Sequence, residues 1–333
     1  MAVKKYFYEL TISSSPHVHS PVTTQTIMRD VLIALAPALI GSVVFFGFRA
    51  LLVTLISAAA CVFFEWGYCK LTKTHCKVYD MSAIVTGVLL AFVCPVTIPY
   101  WCIIIGDFFA IIVVKQLFGG IGCNFLNPAL AGRAFLFSYP VLMTTWPKIG
   151  TALHLIGSNA DAVTAATPMA ALHQGALPAD RIIDCFVGNV GGSMGETSVI
   201  LLLAGFAYLL VRKIISARIP LTYIATVAVI AFLFPQGNDR LVWTGYQVCS
   251  GGLMLGAIFM ATDYATSPVT KLGQIFYGIG CGVITMGIRY FGSYAEGVSY
   301  AILIMNVSVY LLDKVGTPKR FGYVKPKKEA ESK

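Results

Sequence analysis

Long apolar runs separated by short polar segments make up most of the chain. Ten of these runs approach the length of about 20 residues that a helix needs to cross a hydrocarbon core of roughly 30 Å. The predicted spans are Val31–Phe48, Leu51–Trp66, Met81–Pro95, Tyr100–Leu117, Ile121–Tyr139, Thr197–Val211, Ile219–Pro235, Val242–Thr262, Leu272–Phe291 and Glu296–Leu312. The third stops at Pro95 and Pro99, so we expect a helix that breaks before it has crossed the membrane.

The composition supports a membrane protein. Of the 333 residues, 57% are hydrophobic and 12% are charged, whereas roughly 25% are charged in soluble domains. The net charge of +9 does not indicate a nucleic-acid partner, because no soluble domain with a basic face accompanies it. The sequence therefore predicts an all-α polytopic membrane protein with lipid around most of its surface.

Basic residues mark the loops of one side. Residues 68–79, 212–218 and a tail at 313–333 are rich in lysine and arginine, and loops of this kind remain in the cytoplasm. Residues 1–28 contain no apolar run typical of a cleaved signal peptide, which predicts a cytoplasmic N-terminal segment. With ten spans, both termini are cytoplasmic and the polar loop 144–196 lies outside.

The two halves of the chain resemble one another. Residues 86–95 (TGVLLAFVCP) are similar to residues 251–260 (GGLMLGAIFM). We therefore expect residues 29–143 and 197–312 to form two repeats of five spans, and an odd number of spans inverts the second repeat. Inverted repeats with broken helices are typical of transporters, and the expected fold is urea-transporter-like. The alternative is that both stretches reflect only the Gly- and Ala-rich packing of membrane helices.

A segment of small residues in the polar loop carries the most specific motif. A loop rich in Ser, Thr and Ala is ordinarily a solvated connection. Asp161, Thr164, Ala166 and Thr167, however, fill four of the six specified positions of the pattern Asp-Gly-x-Ser/Thr-Gly-Ala-Thr, with alanine in place of both glycines. The segment thus resembles the flavinylation motif of the RnfD and NqrB membrane flavoproteins. This resemblance implies that Thr167 is esterified to the phosphate of FMN, as phosphothreonyl-FMN.

Three further segments resemble the RnfD family: residues 15–17 (SPH), 124–135 (NFLNPALAGRAF) and 296–301 (EGVSYA). The resemblance implies a plasma- or inner-membrane subunit of a prokaryotic Rnf complex, which couples electron transfer between ferredoxin and NAD⁺ to translocation of Na⁺ or H⁺. The implied partners are the Rnf proteins A, B, C, E and G, and an FAD-dependent flavin transferase for maturation. The chain lacks a dinucleotide motif and a ferredoxin-like cysteine array, so both terminal reactions would belong to those partners.

Asn124 and Asn127 are candidates for binding a second flavin. In the relatives, the Asn-x-x-Asn segment is implicated in holding riboflavin without a covalent bond. Because the two residues lie three apart, we expect both amides on one face of the fifth helix. Flavin carbonyls and ring nitrogens could satisfy these amides, and hydrogen bonds to neighbouring helices are the alternative.

Several charged residues fall within predicted spans or at their ends. Asp107 and Arg133 lie inside spans, where charge is costly, so each is a functional candidate. Either these two residues pair with one another, or Asp107 lines an ion path. Asp263, at the end of the eighth span, is a second candidate for that path. Lys115 is expected to snorkel to the cytoplasmic interface.

Cysteine and histidine give no sign of a metal site. No Cys-x-x-Cys occurs, and the five histidines lack the spacing of metal ligands. Two functions outside the flavoproteins also account for the helices: a solute channel or transporter of inverted-repeat type without a redox role, and a purely structural subunit. Neither explains the motif that ends at Thr167.

Overall fold

The computed structural model describes residues 22–74, 78–147, 155, 167–237, 239–294, 296–317 and 322. Helices make up the regular secondary structure of these residues. They are α1 (Thr24–Phe46), α2 (Phe48–Thr72), α3 (Ser82–Phe92), α4 (Tyr100–Phe108), α5 (Pro128–Leu136), α6 (Pro140–Met143), α7 (Pro168–His173), α8 (Ile182–Val187), α9 (Val199–Val211), α10 (Arg218–Leu233), α11 (Arg240–Cys249), α12 (Leu253–Leu255), α13 (Lys271–Phe291) and α14 (Val298–Gly316). A 3₁₀ turn covers Val78–Asp80, and the π-helical segments Phe109–Gln116 and Gly256–Met260 continue α4 and α12.

Several of these helices are long and apolar enough to cross a membrane. Among the described residues, α1, α2, α13 and α14 meet this condition, and a fifth span results if α11 and the segment Leu253–Met260 count as one helix bent by 60°. Shorter apolar helices are α3, α9 and α10. The prediction of an all-α membrane protein is confirmed, whereas the count of ten spans stays a prediction.

The first helix begins earlier than the apolar pattern indicates, at Thr24 rather than Val31. The Thr23 hydroxyl accepts a hydrogen bond from the Thr26 backbone N–H at 3.3 Å, and the Thr26 hydroxyl accepts one from the Thr23 N–H at 3.0 Å. This reciprocal capping box fixes a helix start. The break before α2 falls at Gly47, whose φ of +79° is readily reached by glycine. Arg49, which falls between the first two predicted spans and would there mark a tight turn, lies buried inside α2 instead.

The fifth helix begins later than predicted, at Pro128 rather than Ile121. The preceding stretch is held out of the helical conformation by glycines with φ between +86° and +110°: Gly119, Gly120 and Gly122. The Asn127 side chain then caps α5 by accepting hydrogen bonds from the backbone N–H groups of Ala129 and Leu130, at 3.1 and 3.4 Å. Asn124 consequently lies in a loop, and the expectation that it shares a helix face with Asn127 is wrong.

Helices pack against one another both within each half and between the halves, and small residues allow a close approach. Within the halves, α2 contacts α3 and α4, while α13 contacts α10 and α14; between the halves, α1 packs on α9 and α5 on α14. A Cβ added to Gly87 of α3 would lie 2.7 Å from the Ala58 Cα of α2, so the approach of these helices requires glycine. Close backbone contacts of this kind are characteristic of membrane helices.

Two buried arginines hold the backbone where helices break. Arg49 donates to the carbonyls of Val96 and Ile98 at 2.9 and 3.2 Å, in the segment between α3 and α4. Arg289 donates to the carbonyls of Gln247 and Ser250 at 2.6 and 3.1 Å, where α11 ends. Each arginine is 1% exposed. Carbonyls freed by a broken helix need partners where water is scarce, and the guanidinium groups supply them.

The substitution Arg49→Met tests this support for the break. It removes the donors to Val96 and Ile98 and leaves their carbonyls buried, so we expect a loss of about 3 kcal/mol of stability. Thermal unfolding in detergent would show this as a lowered midpoint. Arg240→Gln, at an exposed arginine at the start of α11, should leave the midpoint unchanged. Equal midpoints for the two variants would contradict the role assigned to Arg49.

Candidate functional site

Thr167 is the N-cap of the short helix α7. Its backbone is extended, Pro168 follows as the first helical residue, and the hydroxyl oxygen accepts a hydrogen bond from the Ala170 N–H at 3.2 Å. Only 9% of Thr167 is exposed. The other predicted motif residues, Asp161, Thr164 and Ala166, lie outside the described residues, so the motif is seen here only through its final threonine.

Helix α7 is attached to the C-terminal half of the chain. His173 Nδ1 lies 3.0 Å from the Arg289 carbonyl oxygen of α13. Met169 packs on Gly251, where an added Cβ would lie 2.8 Å from the methionine sulfur. The helix break between α11 and α12 thus provides the surface on which the Thr167 segment rests.

A small cavity lies beside the threonine and is called here the Thr167 cavity. It is lined by Thr167, Met169, Glu196, Gly251 and Glu296, among others. Its volume is about 30 Å³, enough for two or three water molecules at about 10–15 Å³ each. The cavity can admit groups of the size of a hydroxyl or a water, whereas a flavin ring attached to Thr167 would have to lie outside it.

Two carboxylates beside this cavity share one arginine. Arg133 of α5 donates to the Glu296 carboxylate and, at 2.6 Å, to the Ser299 hydroxyl, and its guanidinium is 3.7 Å from Glu196 Oε1. Arg133 and Glu196 are almost fully buried, with side chains 3% and 7% exposed. Burial, with the Glu296 charge adding to it, raises the pKa of Glu196, while the nearby Arg133 charge lowers it.

The counter-charges of Arg133 differ from the one that its sequence position suggests. The structure pairs Arg133 with Glu296 and Glu196 and not with Asp107. The signal that could have located them is the need of a membrane-buried arginine for an acid. Both glutamates lie just before apolar helices, α9 and α14.

Asp107 lies apart from these charges, between helices of the N-terminal half. It is 0% exposed, and its Oδ1 accepts hydrogen bonds from the Ser57 hydroxyl at 2.7 Å and from the Cys61 thiol at 3.2 Å. Its Oδ2 has no partner among the described residues. Asp107 is absent from the lining of the cavity that contains Asp263, so the two ion-path candidates do not share one cavity.

A second cavity, called here the inner cavity, contains Asn124, Asn127, Lys115 and Asp263 in its lining. Its volume is about 80 Å³, below the roughly 300 Å³ at which small-molecule pockets begin. Both polar atoms of the Asn127 amide already have hydrogen-bond partners. The oxygen caps α5, and the nitrogen donates to the Met260 carbonyl at 3.1 Å. The Asn124 amide nitrogen donates to the Leu126 carbonyl at 3.0 Å. In this form the residues do not fit a riboflavin ring.

Lys115 does not reach the interface as predicted. It is 2% exposed, and its ammonium lies 3.0 Å from Glu65 Oε1 and 2.8 Å from Ser82 Oγ. The expectation of snorkelling is wrong because a carboxylate inside the bundle is available to balance the charge. Among the described residues, no cluster of three or more His, Cys, Asp or Glu side chains could hold a metal ion.

Comparisons with known proteins agree on one family. The sequence profile of the NQR2, RnfD, RnfE family matches residues 11–322. The D subunit of the Na⁺-translocating ferredoxin:NAD⁺ oxidoreductase complex of Acetobacterium woodii is 47% identical over 328 residues, which are 97% of this chain and 98% of the relative. The D subunit of the proton-translocating ferredoxin:NAD⁺ oxidoreductase complex of Clostridium ljungdahlii is 41% identical over 96% of this chain and 98% of its own.

A more distant relative shows the same coverage. The D subunit of an ion-translocating oxidoreductase complex of Aliivibrio salmonicida is 33% identical over 94% of this chain and 99% of its own. The similarity therefore includes the N-terminal half, the polar loop with Thr167 and the C-terminal half. On the strength of the profile match and of these relatives, the chain belongs to the NQR2, RnfD, RnfE family.

Proposed function

We propose that the chain is the RnfD-type component of an Rnf complex, which couples electron transfer between ferredoxin and NAD⁺ to translocation of a cation, and that it carries FMN on Thr167. The full-length similarity to the corresponding components of ferredoxin:NAD⁺ oxidoreductase complexes supports the first part. The observation that carries the second is the Thr167 hydroxyl, which ends the flavinylation motif and lines a cavity beside buried charges.

The hydrogen bonding of Thr167 is compatible with a phosphate ester, whose phosphate, like the flavin ring, would lie outside the small Thr167 cavity. Esterification replaces the hydroxyl hydrogen, and the oxygen keeps a lone pair with which it can still accept from the Ala170 N–H. Arg133 and Arg289 are both buried near Glu196 and Glu296. The two guanidinium groups offset the two carboxyl groups, so an anionic phosphate nearby would not meet uncompensated negative charge.

Attachment requires help from another protein. A threonine hydroxyl is a weak nucleophile that needs activation, and an FAD-dependent transferase would provide it, with AMP as the leaving group from FAD. The bound flavin supplies electron transfer, while the protein supplies its position and electrostatic surroundings. Exchange with ferredoxin and NAD⁺ belongs to other components of the complex, for which the Rnf proteins A, B, C, E and G are the proposed partners.

Helix packing supports the inverted repeat. The predicted first and sixth spans meet as α1 and α9, and the fifth and tenth meet as α5 and α14, as expected if a two-fold axis lies between equivalent elements. Each half also contains an interrupted helix, after α3 and before α12. On this basis we retain the ten-span, urea-transporter-like arrangement and the boundaries 1–28, 29–143, 144–196, 197–312 and 313–333 as parts of the proposal.

The cation path is proposed to involve Asp107 and Asp263. Asp107 is a buried carboxylate with one oxygen unpartnered among the described residues, and Asp263 lines the inner cavity. Relatives include a Na⁺-translocating and a proton-translocating complex, so the family accommodates both coupling ions. A measurement of cation dependence on the assembled complex decides between them for this chain.

The substitution Thr167→Ala tests whether FMN is covalently attached to Thr167. Chain made together with the flavin transferase should give a denatured gel band that fluoresces under ultraviolet light, and Thr167→Ala should abolish that fluorescence because the acceptor oxygen is gone. Thr167→Ser keeps the oxygen and should retain the label. Thr197→Ala, at a second threonine of the same cavity, is the matched control and should also stay fluorescent. A dark wild-type band would contradict the assignment of covalent FMN to Thr167, while the membership in the family would stand on the sequence comparisons.

The proposed orientation can be tested with one pair of cysteines. In a Cys123→Ser background, which removes an exposed thiol, Arg181→Cys should react with an impermeant maleimide added to intact cells. Lys213→Cys should react only after permeabilisation, because positively charged loops face the cytoplasm. Both positions are exposed in the structure, so accessibility does not bias the comparison. The reverse pattern would place Thr167 on the cytoplasmic side.

Riboflavin at Asn124 and Asn127 also stays a prediction. If the inner cavity widens to hold it, Asn124→Leu should lower the non-covalent flavin extracted from the purified chain, because a flavin contact is lost. Thr86→Val, at another polar residue of the lining, serves as the control. Unchanged flavin in both variants would mean that Asn124 and Asn127 serve only the backbone, as they do in the structure.

A further inference from the structure

A lysine ammonium is held inside the N-terminal half by three oxygens. Lys115 Nζ lies 3.0 and 3.1 Å from the two carboxylate oxygens of Glu65 and 2.8 Å from the Ser82 hydroxyl. The Gln116 amide nitrogen also donates a hydrogen bond to this carboxylate, to Glu65 Oε1 at 2.8 Å. Lysine and glutamate are almost never fully buried unless paired, yet both side chains here are at most 4% exposed.

The contacts around the ammonium resemble those of a cation site. One carboxylate and one hydroxyl present oxygen atoms to a single positive charge. Oxygen is the ligand that hard cations prefer, so the same oxygens would suit a monovalent metal ion. The charge of the site is balanced whether a lysine or a free cation occupies it, and an empty site would leave Glu65 buried without compensation.

Asp263 is a second carboxylate to which the Lys115 ammonium can move. Lys115 and Ser82 both line the inner cavity, and the other charged residue of that lining is Asp263. Burial raises the pKa of Asp263, whereas hydrogen bonds from the Thr266 side chain and the backbone, and the Lys115 charge, lower it. A lysine has a flexible four-carbon stem, and the segment Phe109–Gln116 that carries it is π-helical, a geometry frequent at functional sites.

We propose that Glu65 and Ser82 form a monovalent-cation site, that Lys115 occupies it as a tethered cation, and that a free cation enters when Lys115 turns to Asp263. The proposed cation site rests on the proposed function, because it would be one step in the translocation of the cation. The exchange is balanced: one positive charge leaves Glu65 as another arrives, and the lysine charge is taken up by the carboxylate of the opposite half. Glu65 keeps a cation throughout, and Asp263, which accepts a hydrogen bond from the Thr266 hydroxyl in the structure, gains one.

The substitution Lys115→Met tests the site without reference to flavin or electron transfer. It keeps an unbranched side chain and removes the charge, so Glu65 should bind a free cation in place of the ammonium. Na⁺ titrations of the purified chain at pH 8.5, followed by calorimetry, should show saturable binding at least tenfold tighter than in wild type. Lys115→Met combined with Glu65→Gln should lose it. Equal Na⁺ binding in the single and double variants would overturn the proposal.

A second measurement uses the wild-type side chains. Lys115 is buried in its resting place, so a water-soluble acetylating reagent should label it slowly. High NaCl should increase its acetylation, measured by mass spectrometry, relative to the same concentration of choline chloride, because Na⁺ at Glu65 releases the lysine. Lys213, an exposed lysine, gives the reference rate. Lys115 labelling that is the same in both salts would contradict the exchange.

The two measurements are independent of the flavin. Both should give the same results on Thr167→Ala protein, which cannot carry the ester. Loss of fluorescence with Na⁺ binding intact, or the reverse, would therefore separate a failure of the flavin assignment from a failure of the cation site.

Discussion

Buried positive charge needs a partner where water is absent, and the chain satisfies this need in two ways. Arg49 and Arg289 donate to backbone carbonyls released where helices break. Arg133 and Lys115 are paired with glutamates. The first kind of contact supports irregular backbone at membrane depth, which is tolerated only where protein or enclosed water satisfies it. The second kind places Glu196 and Glu296 in the lining of the Thr167 cavity and Lys115 in the lining of the inner cavity.

Both cavities occur where helices are interrupted. The Thr167 cavity lies against Gly251, in the break between α11 and α12, and the inner cavity lies beside the loop that precedes α5. A continuous helix satisfies its own backbone and leaves little room for polar side chains. Breaking it at glycines creates space and exposes carbonyls, and the arginines and asparagines nearby then fix the geometry. The polar residues that line the two cavities therefore come largely from the irregular segments. The long helices α1, α2, α13 and α14 form the scaffold around these segments.

The apolar pattern was sufficient for the class of fold and for most helix positions, because a membrane helix needs a long apolar run wherever it occurs. It misplaced the starts of α1 and α5, which depend on a capping box at Thr23 and on positive φ angles at consecutive glycines. The motif located Thr167, but no local pattern shows that Glu196 and Glu296 meet Arg133, since the three residues are far apart along the chain. The burial of Lys115 was missed for the same reason: its partner Glu65 comes from another helix.

The docking of α7 has a mechanical consequence. Met169 rests on Gly251 and His173 contacts the Arg289 carbonyl, so the segment that begins at Thr167 is fastened to α13 and its neighbours rather than to α2 or α4. If one half rotates against the other, Thr167 would move together with the C-terminal half. The distance between a group attached to Thr167 and an electron donor or acceptor on the N-terminal half would then change, and a change of a few ångströms is enough to alter the rate of electron transfer.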